Sequence, residues 1–492
     1  MPSDTRYSLA TAQSICRGTL SIAPTETLPY LSKGTRGKYY SKYGPGYALL
    51  FVPTAIIANF FSRYSGFDTF ELHQILASFT NTFIAAMCLV VFLSIMKKVG
   101  FDRKIIICTG ALIASCSLLL PYSKINHSEL PATLLLLLFA IEWYDSGTLT
   151  LKKGLRLGFI MSALLLLKIG NAISAVVIAG SCVYCIVTRR STKSGALMAL
   201  FMPVLTVIFL IFLNLYRFGT CFNFGYGTEQ KEFTTPILSG LIAFFISPSK
   251  SMLIFSPLLI LSTIGFSTAF ARNRRFHFTI IILVISNVLF YSCWHDWHGG
   301  WSWGPRLITP VIILMHIYLP FFFEKFRFQC RNLFQVIKNG IVIVLILCSL
   351  FINVLGSLIW CQQIYYFHRN YSSLNCSHPV IAYKLFIHKL RNEPEIYICS
   401  TFNRNCTQPP YISIWNSITQ NGTISFRSFE TFQGFSTFWG FLRARSESGL
   451  YLIVPFILFG FSLLFIIINL FLKQRLYNCN LGKNYISLES NQ

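Results

Sequence analysis

The stretch KYYSKYGPGYALLFVP, residues 38–53, passes from basic, tyrosine-rich sequence through a turn at Gly44, Pro45 and Gly46 straight into apolar sequence. Gly on either side of Pro permits a tight turn and bars a continuous helix there. Tyr39, Tyr40, Tyr43 and Tyr47 are side chains that settle at the level of lipid headgroups, so the segment reads as a polar loop delivered onto a membrane surface. Lys38 and Lys42 then stand where the phosphate of a lipid-linked molecule would lie. The same residues would also make an interfacial anchor without chemistry.

Outward from this loop the chain is apolar in long runs. Of its 492 residues 54% are hydrophobic and 16% aromatic, with only 12% charged. That composition describes an all-α polytopic membrane protein. The formal charge of +24 is spread as short clusters between apolar segments, the pattern of positive-inside loops, which argues against nucleic acid as a partner. Cys88, Cys108, Cys116, Cys182, Cys185 and Cys348 lie inside apolar runs as small hydrophobes and no paired CxxC motifs suggest zinc. Cys361, Cys376, Cys399 and Cys406 share a polar region, where a disulfide is open if that region faces an oxidising compartment.

A spanning helix needs about 20 apolar residues. Runs near that size predict spans at 70–96, 105–121, 129–145, 155–167, 170–188, 196–215, 252–271, 277–292, 307–323, 340–360 and 449–472, about 11 in all. The shorter run from Tyr47 to Phe61 reads as a helix lying at the interface. Basic clusters occupy every second loop: Lys97, Lys98, Arg103 and Lys104; Lys152, Lys153 and Arg156; Arg189, Arg190 and Lys193; Arg272, Arg274 and Arg275; Lys325, Arg327, Arg331 and Lys338; and Lys473, Arg475 and Lys483. Positive-inside bias makes these loops cytoplasmic and puts 1–69, 122–128, Lys168, 216–251, 293–306 and 361–448 outside.

The resulting organisation is an extracytoplasmic first loop with interfacial helices (1–69), a transmembrane core (70–360), a small α/β or β-containing extracytoplasmic insert (361–448), a last transmembrane helix (449–472) and a cytoplasmic tail (473–492). The first loop has no apolar segment before it to carry it across. Either a first helix has been lost from a parent of about 12 spans, or the N-terminus is translocated by the first helix present. Sequons at Asn126, Asn370, Asn375, Asn405 and Asn421 fall on the outside loops, as glycosylation sites in a eukaryotic secretory membrane would.

The polar side chains of interest gather on the outside. Asp4 and Arg6 open the chain, Lys124, His127 and Glu129 stand in the second outside loop, and Lys168 separates two short apolar runs, where an ionisable residue is a functional candidate or a snorkelling cation. The loop CWHDWHGGWSWGPR, residues 293–306, packs Trp301, Trp303, further tryptophans and Arg306 around Gly turns. Tryptophan belts explain indoles at an interface, but not a tightly folded loop. Indoles also stack on sugars, and Arg306 can pair a phosphate bidentately. His295, Asp296 and His298 supply too few ligands to argue a metal site.

The motifs Ser3-Asp4-x-Arg6-Tyr7, RGTLSI at 17–22, GKYYSKYGPGYALLFVP, PYSKINHSELPATLLLL at 121–137, RFGTCFNFGYG at 217–227, SPSKSMLIFSPLL at 247–259 and WHGGWSWGPRLITP at 297–310, in this order, resemble bacterial polyprenyl-phosphate-dependent glycosyltransferases of the C superfamily (GT-C). These are relatives of protein mannosyltransferases and the lipid A aminoarabinose transferase, family 39-like. The resemblance covers residues 3–323. It implies an integral membrane enzyme, a hexosyl- or pentosyltransferase, that passes a sugar with inversion from a polyprenyl-phosphate donor to a glycan, lipid or protein acceptor at the cell envelope. A multi-pass protein of a bacterial inner membrane, its site facing the periplasm or exterior, would follow. Asp4 occupies the place of the family's catalytic carboxylate, a general base, and Glu129 that of a second acid. Lys42, Lys168 and Arg306 are the candidates for the donor phosphate. Arg6, Tyr43, Gly44, Pro45, Gly46, Trp301 and Trp303 belong to the sugar, acceptor or structural loops. A divalent cation, Mg or Mn, is a candidate cofactor that Asp4 and Glu129 could hold. Many relatives carry paired acids at the first position, where this chain has Asp4 and Thr5. A transporter or flippase of lipid-linked substrates, or a non-catalytic assembly subunit, are the other readings to which these features lend themselves.

Overall fold

The structure is a computed structural model that describes residues 3–25, 28, 31–65, 68–145, 148–227, 232–300, 302–326, 332–358 and 377–390. Trp301, the predicted span 449–472, the cytoplasmic tail and all of the predicted insert except 377–390 lie outside the described residues. So do the insert cysteines and the sequons from Asn370 onward.

Helix α1 (Ser3–Cys16) leads to a two-stranded hairpin, β1 (Ser32–Lys33) antiparallel to β2 (Tyr39–Tyr40), and then to α2 (Pro45–Leu49) and α3 (Val52–Ser65). The bundle follows as α4 (Thr69–Ser78), α5 (Thr80–Val99), α6 (Arg103–Cys116), α7 (Leu119–Lys124), α8 (Glu129–Tyr144), α9 (Leu151–Leu167), α10 (Ala172–Val187) and α11 (Lys193–Phe218). It continues as α12 (Ile237–Ile246), α13 (Met252–Phe255), α14 (Leu258–Arg272), α15 (Arg274–Ser292), α16 (Thr309–Met315), α17 (Leu319–Lys325), α18 (Leu333–Leu358) and α19 (His378–Leu390). The protein is an all-α polytopic membrane protein: among the described residues, six helical runs are long and apolar enough to cross a membrane. The other predicted spans within them, α6, α8, α9 and α14, are shorter helices of 14 to 17 residues.

Two expectations are corrected. The segment 105–121 is not one span, because the chain turns extended at Ser117 and restarts as the one-and-a-half-turn α7. The outside loop 216–251 contains α12, an apolar helix of 10 residues, too short to cross at 1.5 Å per residue. Gly240 lets α12 lie against α15, since a Cβ there would meet the Ser292 carbonyl at 2.0 Å, while Leu238, Ile242 and Ile246 face outward.

Burial tells the centre of the bundle from its rim. The run Arg306–Lys325, α16 and α17 joined by a 3₁₀ turn, is 78% buried along its apolar stretch, against 17% for α11. Arg306–Lys325 is therefore the central helix, and α11 presents Phe201, Val204, Phe209 and Phe212 outward as a lipid-facing surface would. Antiparallel packing sorts the ends as the loop charges require. At one end Lys98 bonds the Ile141 carbonyl at 2.8 Å and Asp145 at 2.6 Å, Arg156 pairs Glu142 at 3.2 Å, and Arg272 pairs Glu324 at 2.5 Å. The opposite end carries Asp4, Glu129, Lys168 and Arg306, the starts of α1, α8 and the central run and the end of α9.

Candidate functional site

The first loop reaches the site through close backbone contact. Pro45 opens α2 at its first turn, with its φ already helical. A Cβ on Gly44 would lie 2.6 Å from the Leu166 carbonyl oxygen, and one on Gly46 would lie 2.6 Å from the Leu166 carbonyl carbon. Gly44 has φ −63, so these glycines serve closeness rather than an unusual turn, correcting the reason inferred from sequence. Their contact seats α2 on the last turn of α9, immediately before Lys168. The hairpin is anchored beside it: Ser32 donates to the Gly225 carbonyl, Arg217 Nη1 donates to the Ser41 carbonyl at 3.3 Å, and Tyr40 meets Phe218 edge-on at 5.9 Å. Tyr40 and Tyr47 are buried, at 2% and 3% exposure, so they are packing residues and not headgroup-level tyrosines.

Four ionisable side chains from distant parts of the chain converge above α9. Arg306 Nη2 donates to Asp4 Oδ2, and its Nε stands 3.1 Å from Glu129 Oε1. Lys168 Nζ lies 3.3 Å from the same Glu129 oxygen. Tyr43 donates its hydroxyl to Asp4 Oδ1 at 2.6 Å. Arg306 therefore bridges the two acids, and Lys168 closes the quartet. Burial pushes the Asp4 pKa up, but the Arg306 guanidinium, His127 and the Tyr43 hydroxyl outweigh it and hold the carboxyl well below the usual range. The Tyr43 phenol moves up, from burial and from the adjacent Asp4 charge.

Other predicted residues fall at varied distances from this centre. Lys42 stands over the rings of Tyr226 at 5.2 Å and Tyr43 at 5.9 Å, at the edge of the quartet. Arg6 is half-buried on α1 and, among the described residues, takes no part in the quartet's ion pairs. Of its expected roles Trp303 takes the structural one: it is 0% exposed, meets Phe255 edge-on at 5.1 Å and presses on Gly356. It is a core residue, not a platform for sugar. Trp294 and Trp297 likewise meet Phe233 and Phe244.

The 293–306 loop is tightly folded, as its glycines suggest. Gly299 and Gly300 take φ of 70 and 61, a region that side chains resist. Lys250, buried at 0% exposure, donates to the carbonyls of Gly300 at 3.1 Å and Ser302 at 2.8 Å. Lys250 thus clamps the loop that delivers Arg306. The sequence motif containing it was visible, but nothing local to SPSK marks a lysine aimed at a loop some 50 residues on. Tyr226 and Tyr291 were also missed; Lys168 stands 6.0 Å over the Tyr291 ring. Tyrosines near helix ends look alike in sequence whether they face lipid or a site.

The residues do not fit a divalent cation in this arrangement. The guanidinium lies between Asp4 and Glu129 where a shared ion would sit. Among the described residues no three His, Cys, Asp or Glu side chains form a metal-holding group. His295 pairs Glu232 at 3.2 Å, whereas His298 pairs Asp296 at 2.9 Å.

Fold and site define a class: a polytopic helical membrane protein with an ionic site at one end of its bundle. No family model matches the chain, and no curated protein matches it. Among solved structures the chain is similar to the crystal structure of ArnT from Cupriavidus metallidurans bound to undecaprenyl phosphate, with 14% identity, a TM-score of 0.45, and coverage of 82% of this chain and 70% of that one. It is similar also to ArnT from Cupriavidus metallidurans in the apo state, with 14% identity, a TM-score of 0.44, and coverage of 79% and 71%.

Proposed function

We propose that the protein is a membrane glycosyltransferase that moves a sugar, hexose or pentose, from a polyprenyl-phosphate donor to an acceptor on the extracytoplasmic face. The observation that carries this reading is the Asp4–Arg306–Glu129–Lys168 quartet at one end of an apolar bundle. The order of motifs along residues 3–323 supports the same class. Two acids and two cations balance, so an anion entering the site finds Arg306 and Lys168 already placed and partly shielded from water.

In this reading the donor phosphate takes Arg306, which binds such oxygens bidentately. Asp4 then loses the cationic partner that suppresses its basicity and becomes able to accept a proton. The acceptor hydroxyl attacks C1 of the sugar from the face opposite the phosphate, which inverts that carbon. As the new C1–O bond forms, its proton passes to Asp4, and the electron pair of the breaking C1–O bond leaves with the phosphate. Arg306 and Lys168 meet the charge that gathers there. Glu129 holds both cations in position, Lys42 stands at the approach, and no step is routed through a metal ion. The acceptor class, glycan, lipid or protein, is part of the proposal, as is a bacterial inner membrane with the site outward.

The test is donor turnover in membranes with a panel of polyprenyl-phosphate sugars, wild type beside Asp4→Asn. Turnover in the wild type that falls by about a hundredfold or more in the variant is expected for loss of a general base. Indistinguishable traces would overturn the assignment.

A further inference from the structure

His127 is 1% exposed, and among the described residues neither of its ring nitrogens has a hydrogen-bond partner. A buried polar ring left this way is costly and uncommon in a native protein. Its loop is nonetheless held firmly. Thr5 Oγ1 donates to the Asn126 carbonyl, Asn81 Nδ2 donates to the carbonyls of Ile125 at 2.8 Å and His127 at 3.1 Å, and Asn126 Nδ2 donates to the Ala77 carbonyl at 2.8 Å. The Thr5 bond sets residue 5 against residue 126, whose chain neighbours are Asp4 and His127. The His127 ring lies within electrostatic reach of Arg306, Glu129, Asp4 and Lys168.

Asp4 accepts from Tyr43 on Oδ1 and from Arg306 on Oδ2. Any anion that takes the guanidinium strips Oδ2 of that cationic partner in a half-buried site. A carboxylate oxygen so stripped, on a side chain only 19% exposed, is stabilised by a replacement donor. We propose that His127 is a positioning residue whose ring N–H takes over Asp4 Oδ2 when an anionic ligand draws Arg306 away. This rests on reading the quartet as an anion site. A neutral imidazole always offers one N–H, so the exchange moves no proton and leaves Asp4 ionised and aimed. It also replaces a cationic partner by a neutral one, which restrains the basicity of a carboxylate less.

The purified full chain tests this through thermal unfolding of wild type, His127→Phe, Arg306→Met and the double variant. In the wild-type background His127→Phe is expected to leave Tm unchanged or raise it, because an apolar ring of similar size replaces an unpaired polar one. In the Arg306→Met background the same change should lower Tm by about 2 °C or more, because the imidazole has become the partner of Asp4. His127→Gln, which keeps an N–H, should spare that loss. Equal effects of His127→Phe in both backgrounds, or His127→Gln no better than His127→Phe in the Arg306→Met background, overturn the proposal. If Arg306→Met does not fold, saturating undecaprenyl phosphate replaces the substitution, and the ligand-induced rise in Tm should be smaller in His127→Phe than in wild type. Equal rises, zero included, overturn the exchange. Donor turnover plays no part in the cycle, so coupling found without turnover would keep the exchange and discard the glycosyltransferase.

Discussion

Asp4 shows how far a carboxylate's behaviour depends on partners remote in the chain. Its depressed pKa comes from Arg306, 302 residues away, with His127 and Tyr43 adding to it. A carboxyl whose folded pKa lies below its unfolded one contributes stability that is fully present above the unfolded value and is lost as pH falls through the folded value. The Tm difference between wild type and Asp4→Asn should therefore stay constant from pH 8 down to about 4, the unfolded carboxylate range, and shrink only in more acid solution. A difference that shrinks already between pH 7 and 5 would show that Arg306 does not hold Asp4. Trp303 makes the opposite point. In sequence its indole suits a sugar platform or a structural loop alike, and it is buried against Phe255 and Gly356. Trp303→Ala should cost about 3–5 kcal/mol of stability, read as a large drop in Tm. Altered donor affinity at unchanged Tm would contradict the core assignment.

At the scale of elements, the site depends on how α2 meets α9. The Gly44-Pro45-Gly46 turn is placed by backbone contact with Leu166 and Leu167, and that contact fixes Tyr43 on one side and Lys168 on the other. Gly46→Ala introduces a Cβ within 2.6–2.8 Å of Leu166 atoms, two of them backbone. Overpacking of this kind costs about 1–3 kcal/mol, so the variant should lose Tm and, by moving Tyr43 and Lys168 apart, lose turnover as well. Retention of both would mean that the elements are not locked together there. The loop 293–306 is held differently, by Lys250 inserted beneath it and by left-handed glycines. Two separate devices thus deliver opposite walls of one quartet.

For the whole molecule, loop charge and packing sort the same two ends. The basic ends of α5, α9 and α14 are tied to acids at the ends of α8 and α17, while the polar quartet occupies the other end. In a cysteine-free background, a cysteine introduced at Lys38 should react with a membrane-impermeant maleimide from the extracytoplasmic side. Cysteines at Lys97 or Lys152 should react only after the membrane is opened. The reverse pattern would invert the topology and put the quartet on the cytoplasmic side.

Membrane class, most helices and the two-ended sorting of charge were legible in the chain itself, because hydrophobic length and loop charge are local properties that a bilayer reads directly. Asp4, Glu129, Lys168 and Arg306 could be picked out for the same reason, as ionisable groups on loops of one side. Their pairing could not, since the bridge made by Arg306 and the unsatisfied ring nitrogens of His127 depend on which helix ends packing brings together. Helix α12, the break at Ser117 and the burial of Tyr40, Tyr47 and Trp303 also awaited the tertiary structure. An apolar or aromatic residue has the same identity whether it faces lipid or protein, and only the packed bundle decides between them.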